Sequence, residues 1–300
     1  MPLQKYNVAF CFDNNYQQHF GAAVTSLLLN FAGSGEDLCI HVVGDSLDDT
    51  FLEKIETLRN RFRAHIKFYA IEELYQKLLD ELPLNRFYTR ATYVSLLLPH
   101  ILSQDLETVL YLDSDTIIVS DIRSLFETDL SHKALAGVSD ASCAKMKNHW
   151  DIPDYINSGV MLINLIRWRE LDYTKKCIEF SNKNIDKLIL LDQCAINVIL
   201  QNDIVLLSGK WNVMVQPRIL TYDGPDASIL HFITDSKPWQ SWYEHPLGES
   251  YWRYLNVSPW ADAKPIAAQT VSQVLRLARL LAQQGKLTES IAVYERFKYA

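Results

Sequence analysis

Two carboxylates one residue apart, closing an apolar run, are the residues of this chain whose types and spacing best suit chemistry. The run is Thr108-Val-Leu-Tyr-Leu-Asp-Ser-Asp-Thr-Ile-Ile-Val119. In an extended chain residues i and i+2 point the same way, so Asp113 and Asp115 can converge on one point. Two like charges held together are costly unless a cation or a shared proton relieves them. Carboxylate oxygens are hard ligands of the kind that magnesium and manganese take. A lone Asp-x-Asp is also what a polar turn at a strand end looks like, because Asp makes local hydrogen bonds there. The choice between these readings depends on the rest of the chain.

Four further clusters carry polar groups next to apolar runs: Asp13-Asn14-Asn15-Tyr16, Asn157-Ser158-Gly159, Leu191-Asp192-Gln193, and His231-Phe232 with Lys237-Pro238-Trp239. Each has an ordinary explanation when taken alone. Asp13, Asn15 and Asp192 suit helix caps, and Asn157 with Gly159 suits a turn. His231 suits a satisfied core histidine, and Lys237 a solvated charge.

The elements that would position these groups follow from periodicity. Residues 6–12 read as a buried strand, 16–31 as a helix, 38–43 as a strand, 51–62 as a helix and 66–69 as a short strand. Helical patterns run on to 102, broken at Pro83 and Pro99, before the strand 109–112 and the carboxylate pair. This alternation predicts a parallel sheet covered by helices. Ligands of such sheets sit beyond the carboxyl ends of the strands, so Asp13 and Asp113 are expected to face one crevice. The second half mixes strands at 159–164, 204–207 and 228–232 with helices at 173–180 and 194–200. Pro259 and Pro265 flank a linker, and residues 277–294 resemble one tetratricopeptide-type helix pair. The division expected is 1–258 for the main domain and 259–300 for a linker and C-terminal helical hairpin.

The 300 residues, 48% apolar and 22% charged, suffice for a substantial core. A net charge of −7 opposes nonspecific nucleic-acid binding, which needs cationic surface. Five cysteines without C-x-x-C spacing read as reduced and mostly buried, with no zinc site or disulfide framework. No apolar run is long enough to span a bilayer, and no signal-peptide pattern stands at the N-terminus. The chain reads as cytoplasmic, with at most peripheral contact at the inner face of the membrane.

Taken in order, Phe12-Asp-Asn-Asn-Tyr16, Leu110-Tyr-Leu-Asp-Ser-Asp115, Asn157-Ser-Gly-Val-Met-Leu-Ile-Asn164, Leu191-Asp-Gln193 and His231 with Lys237-Pro-Trp239 resemble the retaining glycosyltransferases of family 8. That group contains bacterial lipopolysaccharide galactosyl- and glucosyltransferases and glycogenin. The resemblance runs from about Tyr6 to Trp239. It implies an α/β GT-A fold, a mainly parallel nucleotide-binding sheet flanked by helices. It also implies transfer of a hexose from UDP-galactose or UDP-glucose to an oligosaccharide or glycolipid acceptor, with an α-linked product. Carried over by position, Asp113, Asp115 and His231 are metal ligands for Mn2+ or Mg2+. Phe12, Asp13, Asn15 and Tyr16 would meet the uridine, with Tyr16 stacking on uracil. Ser114 lies between the metal carboxylates, and Lys237 would meet the diphosphate. Asp140, Asn157 and Ser158 would line the donor sugar, and Asp192 and Gln193 would be catalytic, supplying oxygens to a cationic anomeric carbon.

Three departures stand out. Many relatives carry arginine after Thr-Tyr-x, where Ser95 follows Thr92-Tyr93-Val94 here. Thr234 replaces a glycine in the His-to-Lys loop, and Cys194 an aspartate after Asp-Gln. Ser95 and the repeat-like tail motivate a rival reading, a weak UDP-sugar-binding protein acting through its hairpin. A haloacid dehalogenase-type phosphohydrolase also has a strand ending in Asp-x-Asp, but that motif opens its fold, whereas here about a hundred residues precede it. The aromatic group Trp239, Trp242, Tyr243, Tyr251, Trp252, Tyr254 and Trp260 is expected to pack a C-terminal subdomain, with an acceptor platform as the functional alternative.

Overall fold

The computed structural model describes residues 5–44, 48–71, 82, 91–216 and 226–298. β1 (Tyr6–Cys11), β2 (Leu38–Gly44) and β3 (His65–Ala70) pair in parallel and alternate with helices Gln17–Asn30 and Asp49–Phe62. Every residue of β1 and β2 is buried, as a parallel sheet covered on both faces demands. The second helix starts at Asp48, whose carboxylate accepts the Phe51 N–H, and stops at Arg63 in the left-handed region. The helical reading of residues 72–90 lies outside the described residues, except at Leu82.

β4 (Thr108–Leu112) joins β1 in parallel on its other side. Beyond it the sheet departs from simple alternation. β6 (Leu135–Ser139), unmarked by the periodicity, pairs with β7 (Ile156–Asn164), which runs antiparallel to both β4 and β6. β8 (Ile204–Leu206) closes the edge parallel to β6, giving the order β3-β2-β1-β4-β7-β6-β8. The sheet is therefore mainly parallel, with β7 reversed. A smaller sheet of β5 (Thr116–Ile118), β10 (Ile229–His231) and β9 (Val213–Met214) lies in the order β5-β10-β9.

The two-residue period of the strands splits the core into two layers. Val8, Phe10, Leu110 and Leu112 face the Gln17–Asn30 helix, while Ala9, Cys11, Val109 and Tyr111 face the layer that contains Trp168 and Ile196. Trp239, Trp242, Tyr243, Tyr251 and Trp260 are buried, and Trp252 and Tyr254 partly so. A Cβ on Gly21 would strike the Trp260 ring, and Asn30 Nδ2 donates to Tyr254 Oη at 2.8 Å. The aromatic group is packing around a helix, Gly248–Leu255, that the periodicity did not mark.

Helices Val271–Gln283 and Leu287–Lys298 form the C-terminal hairpin, turning at Gly285 with φ +77°. A capping box between Thr270 and Gln273 opens it, and Ser290 Oγ donates to Ala278 O at 2.7 Å across it. Arg276 reaches Ser236 Oγ at 3.3 Å and ties the hairpin to the loop after β10.

A candidate active site at the carboxyl ends of the strands

β1 and β4 end side by side, and a cleft of about 610 Å³ opens beyond them. Phe12, Asp13, Tyr16, Asp113, Ser114, Asp115, Asp140, Asn157, Ser158, Asp192, Gln193, His231 and Lys237 all line it. These groups come from six separate stretches of chain. Asn15 does not line the cleft: its backbone N–H donates to Asp13 Oδ1 at 3.0 Å in the turn that starts the first helix. Phe12 reaches the cleft, but its ring stacks on Phe20 in the core, 4.7 Å between centroids. Tyr16 stands edge-on to Trp239, which itself stacks on buried His19 at 3.5 Å and 18°.

At the centre, Asp113, Asp115 and His231 each offer a ligand atom, all within 4.8 Å of one another. β5 and β10 bring them together, because antiparallel pairing sets His231 opposite Thr116. His231 Nε2 lies 3.2 Å from Asp115 Oδ1 and 3.5 Å from Asp113 Oδ2. Lys237 Nζ donates to Asp115 Oδ2 at 2.6 Å and to Phe232 O at 2.7 Å, so it is no solvated charge. Tyr111 Oη donates to Asp113 Oδ1 at 2.6 Å.

The charges explain the proton affinities. Burial opposes a charged His231, yet Asp115 and Asp113 outweigh it and raise its pKa to about 9. Burial likewise opposes ionisation of Asp115, but Lys237 and His231 hold its carboxyl below the usual range. At Asp192 the hydrogen bonds from Ser158 and the Gln193 backbone favour the charged form but are outweighed. Burial first, then the negative charge of Asp113, pushes its pKa well above the ordinary carboxylate value.

Three observations test whether a divalent cation fits here. Two carboxylates and an imidazole are an acceptable oxygen and nitrogen set for manganese or magnesium. Asp115 Oδ1 and Ser114 Oγ are buried without an aligned hydrogen-bond partner among the described residues. A Cβ on Gly159 would strike His231 Cε1 and lie 2.5 Å from Asp113 Oδ2, so only glycine lets these side chains close together. The residues fit the ion. Gly159→Ala is expected to weaken divalent-ion binding about tenfold or more, read by calorimetric titration with Mn2+ and UDP.

Gln193 is held by β7: Ser158 N–H donates to its Oε1 at 3.1 Å and Asn157 Nδ2 at 3.2 Å. Cys194 is fully buried against Tyr155 Oη at 3.1 Å, so the residue at 194 is not what supports Gln193. Asp140 caps its own turn, accepting from Ser142 N at 3.1 Å. Ser95 is buried, and its hydroxyl donates to Thr92 O at 3.3 Å; Thr92, not Ser95, lines the cleft. An arginine at 95 would have to displace core packing before reaching a ligand.

Thr234 lines the cleft with φ +78°, a left-handed conformation that is strained for a β-branched residue. Thr234→Gly is expected to stabilise the protein by about 1 kcal/mol in urea unfolding, because the loop then adopts the same path without that strain.

Glycosyl transferase family 8 is the family whose model matches, over residues 7–243. General stress protein A of Bacillus subtilis is 27% identical over 276 residues, covering 85% of this chain and 94% of its own. Lipopolysaccharide 1,3-galactosyltransferase of Salmonella typhimurium is 26% identical over 313 residues, covering 97% and 89%. Among solved structures, the galactosyltransferase LgtC in complex with donor and acceptor sugar analogs superposes with a TM-score of 0.73 at 21% identity, covering 84% of this chain and 96% of that one. That likeness speaks for the GT-A-like fold, and the family match spans every stretch that builds the cleft. The chain belongs to glycosyl transferase family 8 and is a glycosyltransferase.

Proposed function

We propose that the protein transfers a hexose from a UDP-sugar to a saccharide or glycolipid acceptor of the lipopolysaccharide type, with retention of configuration and dependence on a divalent cation. The observation that carries this reading is the convergence of Asp113, Asp115 and His231 beside Lys237 in one cleft. Manganese, or magnesium, would be held by those three side chains. When bound, the ion supplies counter-charge to a diphosphate leaving group.

The remaining work belongs to the side chains. Lys237 offers its ammonium to the phosphate as negative charge develops there. Asp13 and Tyr16 receive the uridine, with the Tyr16 ring braced by Trp239 for stacking on uracil. Asp140, Asn157 and Ser158 fix the sugar hydroxyls. Asp192 and Gln193 present oxygens to the anomeric carbon as it becomes cationic. Retention requires no enzyme base on the far side of the ring, since the departing phosphate can take the acceptor proton; Asp192 as a covalent nucleophile is the other route.

The catalytic unit in this reading is 1–258, and 259–300 is an appended linker and hairpin. The lipopolysaccharide transferases among the relatives support a saccharide or glycolipid acceptor. No helix among the described residues is long and apolar enough to cross a membrane, which suits work in the cytoplasm with peripheral contact at the inner membrane face. The test is UDP release from a panel of UDP-hexoses with and without Mn2+, followed by proton NMR of the product linkage. An α-linked product and loss of turnover on chelation are expected; a β-linkage, or turnover unaffected by chelator, would overturn the mechanism.

A further inference from the structure

We infer that Asn212 is a positioning residue that fixes the tautomer of His231 and couples it to Gln193 through a directional chain of amides. Asn212 is 1% exposed and precedes β9 in the small sheet. His231 Nδ1 lies 3.0 Å from Asn212 Oδ1, Asn212 Nδ2 2.9 Å from Asn157 Oδ1, and Asn157 Nδ2 3.2 Å from Gln193 Oε1.

An amide placed by shape alone could face either way, and a histidine could carry its proton on either nitrogen. Here two backbone donors remove that freedom. The Gly159 N–H can only donate, and it meets Asn157 Oδ1 at 3.1 Å. The Ser158 N–H can only donate, and it meets Gln193 Oε1 at 3.1 Å. With Asn157 oriented, its Oδ1 requires a donor from Asn212, which must be Nδ2. Asn212 Oδ1 then faces His231, so Nδ1 of His231 carries a proton in either charge state, and Nε2 is the nitrogen that faces Asp113 and Asp115 and is left to bind a metal. The backbone of β7 thus sets the ligand face of a histidine three side chains away. Partners of this kind, behind a metal-binding imidazole, are worth about 10- to 100-fold in metal affinity.

The inference rests on the proposed metal role of His231, and the experiment separates the two. Mn2+ affinity is measured by calorimetry on the full chain with UDP present, for wild type, Asn212→Leu and Asn212→Asp. Asn212→Leu is expected to weaken Mn2+ binding about 10- to 100-fold. Asn212→Asp keeps an acceptor for Nδ1–H but loses the donor to Asn157. It is therefore expected to keep Mn2+ affinity within about threefold while lowering kcat, because a second acceptor then faces Asn157 Oδ1 and disturbs the amide that donates to Gln193. A residue that mattered only for packing would not divide the two readouts this way. Wild type binding no Mn2+ would defeat the metal site itself; equal binding by wild type and a folded Asn212→Leu would defeat this inference alone. Should Asn212→Leu not fold, nitrogen-15 NMR of histidine-labelled wild type with Mg2+ and UDP decides. A proton on Nδ1 of His231 is expected, and one on Nε2 would overturn the assignment.

Discussion

Asp115→Ala is expected to lower kcat/KM for sugar transfer about a thousandfold or more, the largest effect of any single change in the cleft. One carboxylate serves three partners. Its Oδ1 faces His231 Nε2 at 3.2 Å, its Oδ2 takes Lys237 Nζ at 2.6 Å, and it holds half of the carboxylate pair. Alanine leaves His231 and Lys237 largely buried without their counter-charge. Removing one partner of a buried ion pair costs on the order of 3 kcal/mol, so the variant should also unfold earlier. Asp115→Asn keeps the volume and separates the effects: it should fold more stably than the alanine variant yet bind UDP no better when Mn2+ is added. Calorimetry with and without Mn2+ reads this directly. An Asp115→Ala enzyme with wild-type turnover in chelator would remove the site from the mechanism.

Asp192→Asn should divide stability from activity in opposite directions. Unfolded, the carboxyl ionises near pH 3.9. Folded, burial and then Asp113 hold its pKa well above that value. The folded state therefore keeps a proton that the unfolded chain gives up, and wild-type stability falls as the pH rises from about 4 toward the folded pKa. An amide ionises in neither state. In the metal-free protein, wild type and Asp192→Asn should melt together near pH 4, and the variant should melt higher at neutral pH. On the proposed role, its turnover should fall about a hundredfold or more while UDP binding persists, because the anomeric carbon would lose the Asp192 carboxyl and the base of the cleft stays intact. Equal turnover would mean that Asp192 serves only the architecture.

Much of this was legible because a strand leaves a periodic record in its own residues. The runs that became β1 to β4 were bounded to within one or two positions, and their carboxyl ends located Asp13 and Asp113 on one crevice. The direction of β7 left no such record, since an apolar strand reads alike whichever way it runs. β6 escaped because Leu135–Ser139 contains Ala and Gly, residues that mark no strand. Ser95 was a departure from a family pattern that pointed to the ligand, and burial places it off the cleft wall. Asn212 was invisible for another reason. It is an uncharged amide between Trp211 and Val213, and its meaning comes from Asn157 and His231, distant in sequence and joined only by the sheets.

The pairing of β5 with β10 has a consequence for how the molecule is made. Residues 116–118 meet 229–231 across more than a hundred positions. At a synthesis rate of about 5–20 residues per second, the Asp113 and Asp115 carboxylates leave the ribosome on the order of ten seconds before His231 and Lys237 exist. During that interval the β1–β4 half can pack its helices, but the acidic pair has no histidine or lysine to face. Closure of the small sheet is thus a late event that delivers both cationic partners together. Nascent chains halted before residue 229 should hold a folded N-terminal sheet with no cation-binding capacity. The cleft is complete only once β10 has paired with β5.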